Sequence, residues 1–216
     1  MVSVNDNFLT LAPSYLFSDI AKKVSAYKEA HPEAKIIRLG IGDVTQPLAP
    51  AVVEAMHKAV DEMASAGTFR GYGPEQGYDF LKQAIVDNDF KARGISIDLD
   101  EVFINDGAKS DTGNIGDILG TDNVIGVTDP VYPVYIDSNT MAGREIVLLS
   151  PKSGKMEVPM PDAIDPDKKP SVVFLCYPNN PTGMVATRDE LKAWVDYALE
   201  NDVLLMYDAA YEAYIQ

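Results

Sequence analysis

Five short apolar runs constrain this chain more than any other feature. They are Val102-Phe103-Ile104, Val124-Ile125-Gly126-Val127, Ile146-Val147-Leu148-Leu149, Val172 to Cys176, and Val203-Leu204-Leu205-Met206. Each is continuous rather than alternating, so a strand built on it needs cover on both faces. Helical spacing falls between several of them. Thr187 to Glu200 is the clearest case: Thr187 and Glu190 form a capping box. Leu191, Trp194, Val195, Ala198 and Leu199 then recur on one face, which makes Trp194 a core residue. A second helix is predicted from Pro50, with Val53, Met56 and Val60 on one side. Strand, helix, strand alternation predicts an α/β fold with a largely parallel central sheet. Prolines at 151, 159, 161, 166 and 170 predict an extended surface connection. Strand-like runs flank it, so it is read as a long loop within one sheet domain rather than a linker.

At 216 residues the chain is long enough for a substantial core, and its 46% hydrophobic content excludes wholesale disorder. The formal net charge of -15 repels phosphate backbones, so nucleic acid is not an expected partner. The single cysteine, Cys176, builds no disulfide framework and is read as a buried, inert thiol. The start of the chain lacks the pattern of a signal peptide, and no apolar segment reaches membrane-spanning length. A cytoplasmic protein without metal or membrane partners is the expectation.

In parallel sheets, ligands gather where strands end and loops enter helices. After Ile104 comes Asn105-Asp106-Gly107-Ala108-Lys109-Ser110. Such a small-residue turn suits a phosphate at a helix start, or simply connects two elements. After Val127 comes Thr128-Asp129-Pro130-Val131-Tyr132-Pro133-Val134-Tyr135. The prolines fix the backbone around Tyr132, whose ring either stacks on a planar ligand or packs. After Cys176, Tyr177-Pro178-Asn179-Asn180-Pro181-Thr182-Gly183 makes an over-determined turn that can fix an asparagine amide. After Met206 comes Tyr207-Asp208-Ala209-Ala210-Tyr211. An acid at a buried strand end needs a cation or a helix to cap.

Each site alone is ambiguous, but their order resembles the fold-type I aminotransferases that use pyridoxal 5'-phosphate (PLP). The resemblance extends to the LL-diaminopimelate aminotransferase family. It is carried by Tyr15-Leu16-Phe17, Leu39-Gly40-Ile41-Gly42-Asp43, Phe69-Arg70-Gly71-Tyr72-Gly73-Pro74-Glu75-Gln76-Gly77, Gly107-Ala108-Lys109 and Asp129 to Tyr135. It implies an αβα large domain over 46–216, with its mostly parallel sheet incomplete. Residues 1–45 would form an N-terminal arm and a segment of the small domain.

The resemblance also implies roles. Asp208 and Tyr132 would carry catalytic functions: Asp208 would hold the pyridinium nitrogen and Tyr132 would stack on the ring. Asn180 and Tyr211 would bond the phenolic oxygen, and Ala108 and Lys109 would meet the phosphate. Tyr72 would reach the phosphate of a second subunit, which implies a homodimer. Tyr15, Gly42, Glu75, Lys109, Tyr132 and Asn180 would meet the substrate, with Glu75 facing its distal ammonium. The implied reaction moves an amino group from glutamate to tetrahydrodipicolinate, giving LL-diaminopimelate and 2-oxoglutarate in lysine biosynthesis.

The lysine that carries PLP in that family lies downstream of the strand-end acid, and no lysine follows Asp208 here. The resemblance therefore implies an N-terminal half, expected to bind PLP weakly and to show no turnover alone. Two other functions stay open. An aminotransferase for aromatic or alanine-type substrates is argued against by Glu75 and the 69–77 segment. A non-catalytic PLP-binding regulatory domain is argued against by the acidic charge and by a resemblance that begins at Tyr15.

Overall fold

The computed structural model describes residues 2–11, 16–37, 39 and 46–215. It divides into two compact units, Ser14–Asn105 and Met1–Pro13 with Asp106–Gln216. The sequence expectation instead placed a boundary near residue 45, beside residues outside the description.

The Ser14–Asn105 unit is helical. It holds α1 (Leu16–Ala30), α2 (Pro50–Met63) and α3 (Asp79–Ile85), the last running into a π turn over Val86–Phe90. Pro50 opens α2 as expected, where its missing N–H costs nothing. The expected apolar side of α2 is uncovered: Val53, Met56 and Val60 are all exposed. The run 102–104 lies in this unit and is not a strand. Among its described backbone groups, Ile104 N–H donates to Gln76 O at 3.0 Å, and no ladder forms alongside. A continuous apolar run needs a neighbouring strand to become a sheet element, and propensity alone does not provide one.

The other unit carries the sheet. Its strands are β1 (Val124–Thr128), β2 (Glu145–Leu149), β3 (Val172–Cys176) and β4 (Leu204–Asp208), all parallel in the order β2-β1-β3-β4. These four match the remaining apolar runs within a residue or two. Its helices are α4 (Ala108–Ile115), α5 (Val134–Met141) and α6 (Arg188–Asn201). Helix α5 links β1 to β2, and α6 links β3 to β4. The capping box at Thr187 is present, with Thr187 N–H donating to Glu190 Oε2 at 2.7 Å.

All five residues of β3 are buried, and alternation sends them to two faces. Val173, Leu175 and Tyr177 join Leu149, Val158, Ile164 and Trp194 on one side. Val172, Phe174 and Cys176 join Ile125, Val127 and Tyr135 on the other. Trp194 is fully buried and donates its indole N–H to Pro159 O at 2.9 Å. Of its expected helix face, Leu191 and Ala198 turn inward with it, whereas Val195 and Leu199 are exposed.

The 151–170 loop departs from a purely surface path. Val158 and Ile164 join the core, and Pro159 and Pro170 are fully buried. A buried proline carries no N–H to leave unsatisfied, and the Pro159 carbonyl is taken by Trp194. Arg144, also buried, donates to the carbonyls of Gly116, Leu119 and Gly120 and to Asn139 Oδ1. It thereby ties the chain after α4 to α5, at a helix end where a cation is favoured. Among the described residues no helix is long and apolar enough to cross a membrane.

Candidate active site

The carboxyl ends of β1, β3 and β4 open into one cavity of about 200 Å³ in the sheet unit. Six of the expected site residues line it: Ala108, Lys109, Tyr132, Asn180, Asp208 and Tyr211. Tyr72 and Glu75 belong to the Ser14–Asn105 unit. Tyr15 and Gly42 lie outside the described residues.

Asp208 ends β4 on the same sheet face as Phe174 and Cys176, paired in register with Cys176. Two donors hold its carboxylate. Tyr135 Oη–H reaches Oδ2 at 2.5 Å, and the Ala210 N–H reaches Oδ1 at 3.0 Å. A carboxylate offers about four lone-pair positions, so two donors leave capacity toward the cavity.

The turn after β3 separates its two asparagines. Asn179 is buried and shapes the turn: its Oδ1 accepts from Thr182 N–H at 3.1 Å and from the Thr182 hydroxyl at 2.8 Å. Its backbone carbonyl also accepts from Gly183 N–H at 2.7 Å. Asn180 points into the cavity instead, with Nδ2 3.4 Å from Tyr211 Oη. An amide nitrogen has two hydrogens, so that contact leaves a second donor beside the phenol.

Helix α4 begins at Ala108 behind Gly107, whose φ of 136° lies in the region that favours glycine. The first N–H groups of a helix have no acceptor within it, and the helix dipole adds positive potential there. This is the expected small-residue turn, and it faces the same cavity as Asp208.

Five lining residues were given no site role by the sequence: Thr112, Val134, Tyr135, Cys176 and Ala210. Thr112 stands one turn after Lys109, a spacing that signals a shared helix face. Tyr135 closes the Asp129–Tyr135 run, three residues after Tyr132. Cys176 is buried as expected, yet it forms part of the cavity wall.

Burial raises the pKa of the Cys176 thiol, and burial followed by the bond to Asp208 raises that of the Tyr135 phenol. Burial likewise raises Tyr177. The folded protein thus retains protons that the unfolded chain releases near pH 9.0 for cysteine and 10.0 for tyrosine. Stability is therefore expected to be undiminished by these groups below pH 9 and to fall as pH rises beyond 9 to 10. Urea midpoints across pH 7 to 11 check this, and a midpoint that rises over that range contradicts it.

The family model described as aminotransferase class I and II matches residues 34–215. An LL-diaminopimelate aminotransferase from Parabacteroides distasonis is 63% identical over all of this chain and 54% of that protein. One from Bacteroides thetaiotaomicron is 63% identical over all of this chain and 55% of that protein. A solved L,L-diaminopimelate aminotransferase from Chlamydomonas reinhardtii superposes with a TM-score of 0.83 at 36% identity, covering all of this chain and 54% of that one. The chain spans about half the length of the curated relatives it matches. Every residue lining the cavity falls within the matched family region, and by that match the chain belongs to the class I and II aminotransferases.

Proposed function

We propose that this chain supplies the cofactor-gripping half of a PLP-dependent aminotransferase acting on LL-2,6-diaminopimelate and 2-oxoglutarate in lysine biosynthesis. One observation carries the reading: a strand-end acid, an amide–phenol pair, a tyrosine ring and a helix start all face a single cavity. The donor set fits PLP group by group. Asp208 has unused acceptor capacity for a ring N–H. Asn180 and Tyr211 offer adjacent donors to a phenolic oxygen. The start of α4 suits a phosphate, which needs N–H groups and positive potential.

When bound, PLP supplies an electron sink for the substrate carbon that loses its proton. The protein's part is to orient and to hold charge. Asp208 keeps a proton on the ring nitrogen by a charge-assisted hydrogen bond. Tyr132 would cover a face of the ring. Lys109 and Asn180 would meet the substrate. Tyr72, fully exposed in this chain, and Glu75 enter from the resemblance rather than from the cavity. We assign Tyr72 to the phosphate site of a second copy in a cytoplasmic homodimer, and Glu75 to the distal ammonium of the substrate.

The names of the relatives support the substrate. The test is a chimera in which residues 1–216 replace the matching part of the Parabacteroides distasonis relative. The chimera is expected to convert LL-diaminopimelate and 2-oxoglutarate to glutamate and tetrahydrodipicolinate. A higher kcat/KM for alanine or an aromatic amino acid would overturn the substrate assignment.

A further inference from the structure

The acid at the end of β4 is held by a buried phenol to which neither the turn motifs nor the resemblance gives a role. Tyr135 is 1% exposed. Its ring stacks on Phe174 with centroids 5.1 Å apart and planes 17° apart. It also meets Tyr132 edge-on at 6.0 Å. Its hydroxyl donates to Asp208 Oδ2, while Ala210 N–H takes Oδ1.

We propose that Tyr135 is a positioning residue for Asp208: fixed in the core, its hydroxyl sets the plane of the carboxylate, so that the acid presents one face to a nitrogen heterocycle lying against Tyr132. This rests on the function proposed above.

The physical case has three parts. The last torsion of an aspartate is broad and roughly two-fold, so an unrestrained carboxylate swings. A donor on each oxygen removes that freedom before a ligand arrives, and preorganisation of this kind lowers the cost of binding. Second, the donor is neutral. A lysine or arginine here would cancel the charge that a pyridinium needs, whereas a hydroxyl supports the anion and leaves its charge in place. Burial keeps that hydroxyl protonated, since it pushes the phenol above its ordinary range. Third, Tyr132 and Tyr135 stand either side of the start of α5, at Val134. One rigid helix start therefore sets both the ring that stacks and the hydroxyl that aims the acid.

Tyr135→Phe tests this, because phenylalanine keeps the ring, its volume and the stack on Phe174. The probe is pyridoxamine 5'-phosphate, titrated into the 216-residue chain and followed by its absorption spectrum, with inorganic phosphate as a second ligand. Tyr135→Phe is expected to weaken pyridoxamine 5'-phosphate by about tenfold, the scale of losing a hydrogen bond to a charged group. Inorganic phosphate affinity is expected to stay unchanged. In an Asp208→Asn background the same substitution is expected to have little further effect, because the pair acts as a unit. A general loosening of the cavity would instead weaken both ligands and add to Asp208→Asn, and that result overturns the proposal. Equal pyridoxamine 5'-phosphate affinity in Tyr135→Phe and the parent chain also overturns it, with the proposed function intact. If the parent chain binds inorganic phosphate but shows no preference for pyridoxamine 5'-phosphate, the proposed function fails and takes this inference with it.

Discussion

Asp208→Asn is expected to lower kcat of the chimera by about 10²- to 10³-fold, the usual consequence of removing one preorganised charge from a site of this kind. Asparagine keeps the shape and both contact atoms. Its oxygen still accepts from a backbone N–H, and its amide can turn a hydrogen toward the oxygen of Tyr135. What it lacks is negative charge. Without that charge a bound ring nitrogen has no reason to stay protonated at neutral pH, and an unprotonated ring withdraws electrons poorly. The damage should therefore appear in kcat more than in KM, because substrate contacts are made by other residues. Steady-state kinetics against LL-diaminopimelate, with the cofactor at saturation, measures it. A variant within a few-fold of the parent would remove Asp208 from the role assigned to it.

Much of this architecture was legible in the sequence because local chemistry decided it. Four apolar runs became four parallel strands, since each is flanked by segments that can cross over and cover it. The capping box named the start of α6 to the residue. Trp194 fell into the core because its neighbours recur at helical spacing. The run 102–104 shows the limit: its composition matches the others, yet a strand is defined by its neighbour, and sequence spacing does not reveal who the neighbour is. The same limit governs the site. Ala108, Lys109, Tyr132, Asn180, Asp208 and Tyr211 were each visible as residues after a strand or at a turn. Their meeting depends on the strand order β2-β1-β3-β4, which no local pattern encodes.

Two residues escaped for the same reason. Tyr135 reaches Asp208 across 73 positions of chain, and Arg144 gathers carbonyls from as far back as Gly116. Asn179 was given no role of its own, and the structure shows its Oδ1 holding the turn through Thr182. The roles of Tyr72 and Glu75 rest on resemblance, because the groups they would meet are not neighbours in sequence. For Tyr72 the proposed group would belong to a second copy.

The largest stability effect is expected at Trp194, on the sheet face opposite the cavity. Trp194→Ala removes the biggest fully buried side chain and leaves its surroundings only partly able to collapse, a change that costs about 3–5 kcal/mol. It also strands the Pro159 carbonyl, which would lose its indole donor in the middle of the 151–170 loop. Trp194→Phe separates these contributions. It fills much of the volume but makes no hydrogen bond, so its cost should be smaller, about 1–3 kcal/mol. Urea denaturation of both variants gives the comparison. The site should report the opposite way. Trp194 packs with Val173, Leu175 and Tyr177, whereas Asp208 and Tyr135 sit with Phe174 and Cys176 on the other side of β3. The folded fraction of Trp194→Phe should thus bind pyridoxamine 5'-phosphate as tightly as the parent chain. Affinity that fell together with stability would mean that β3 transmits strain between its faces, and the cavity could no longer be treated as independent of the tryptophan core.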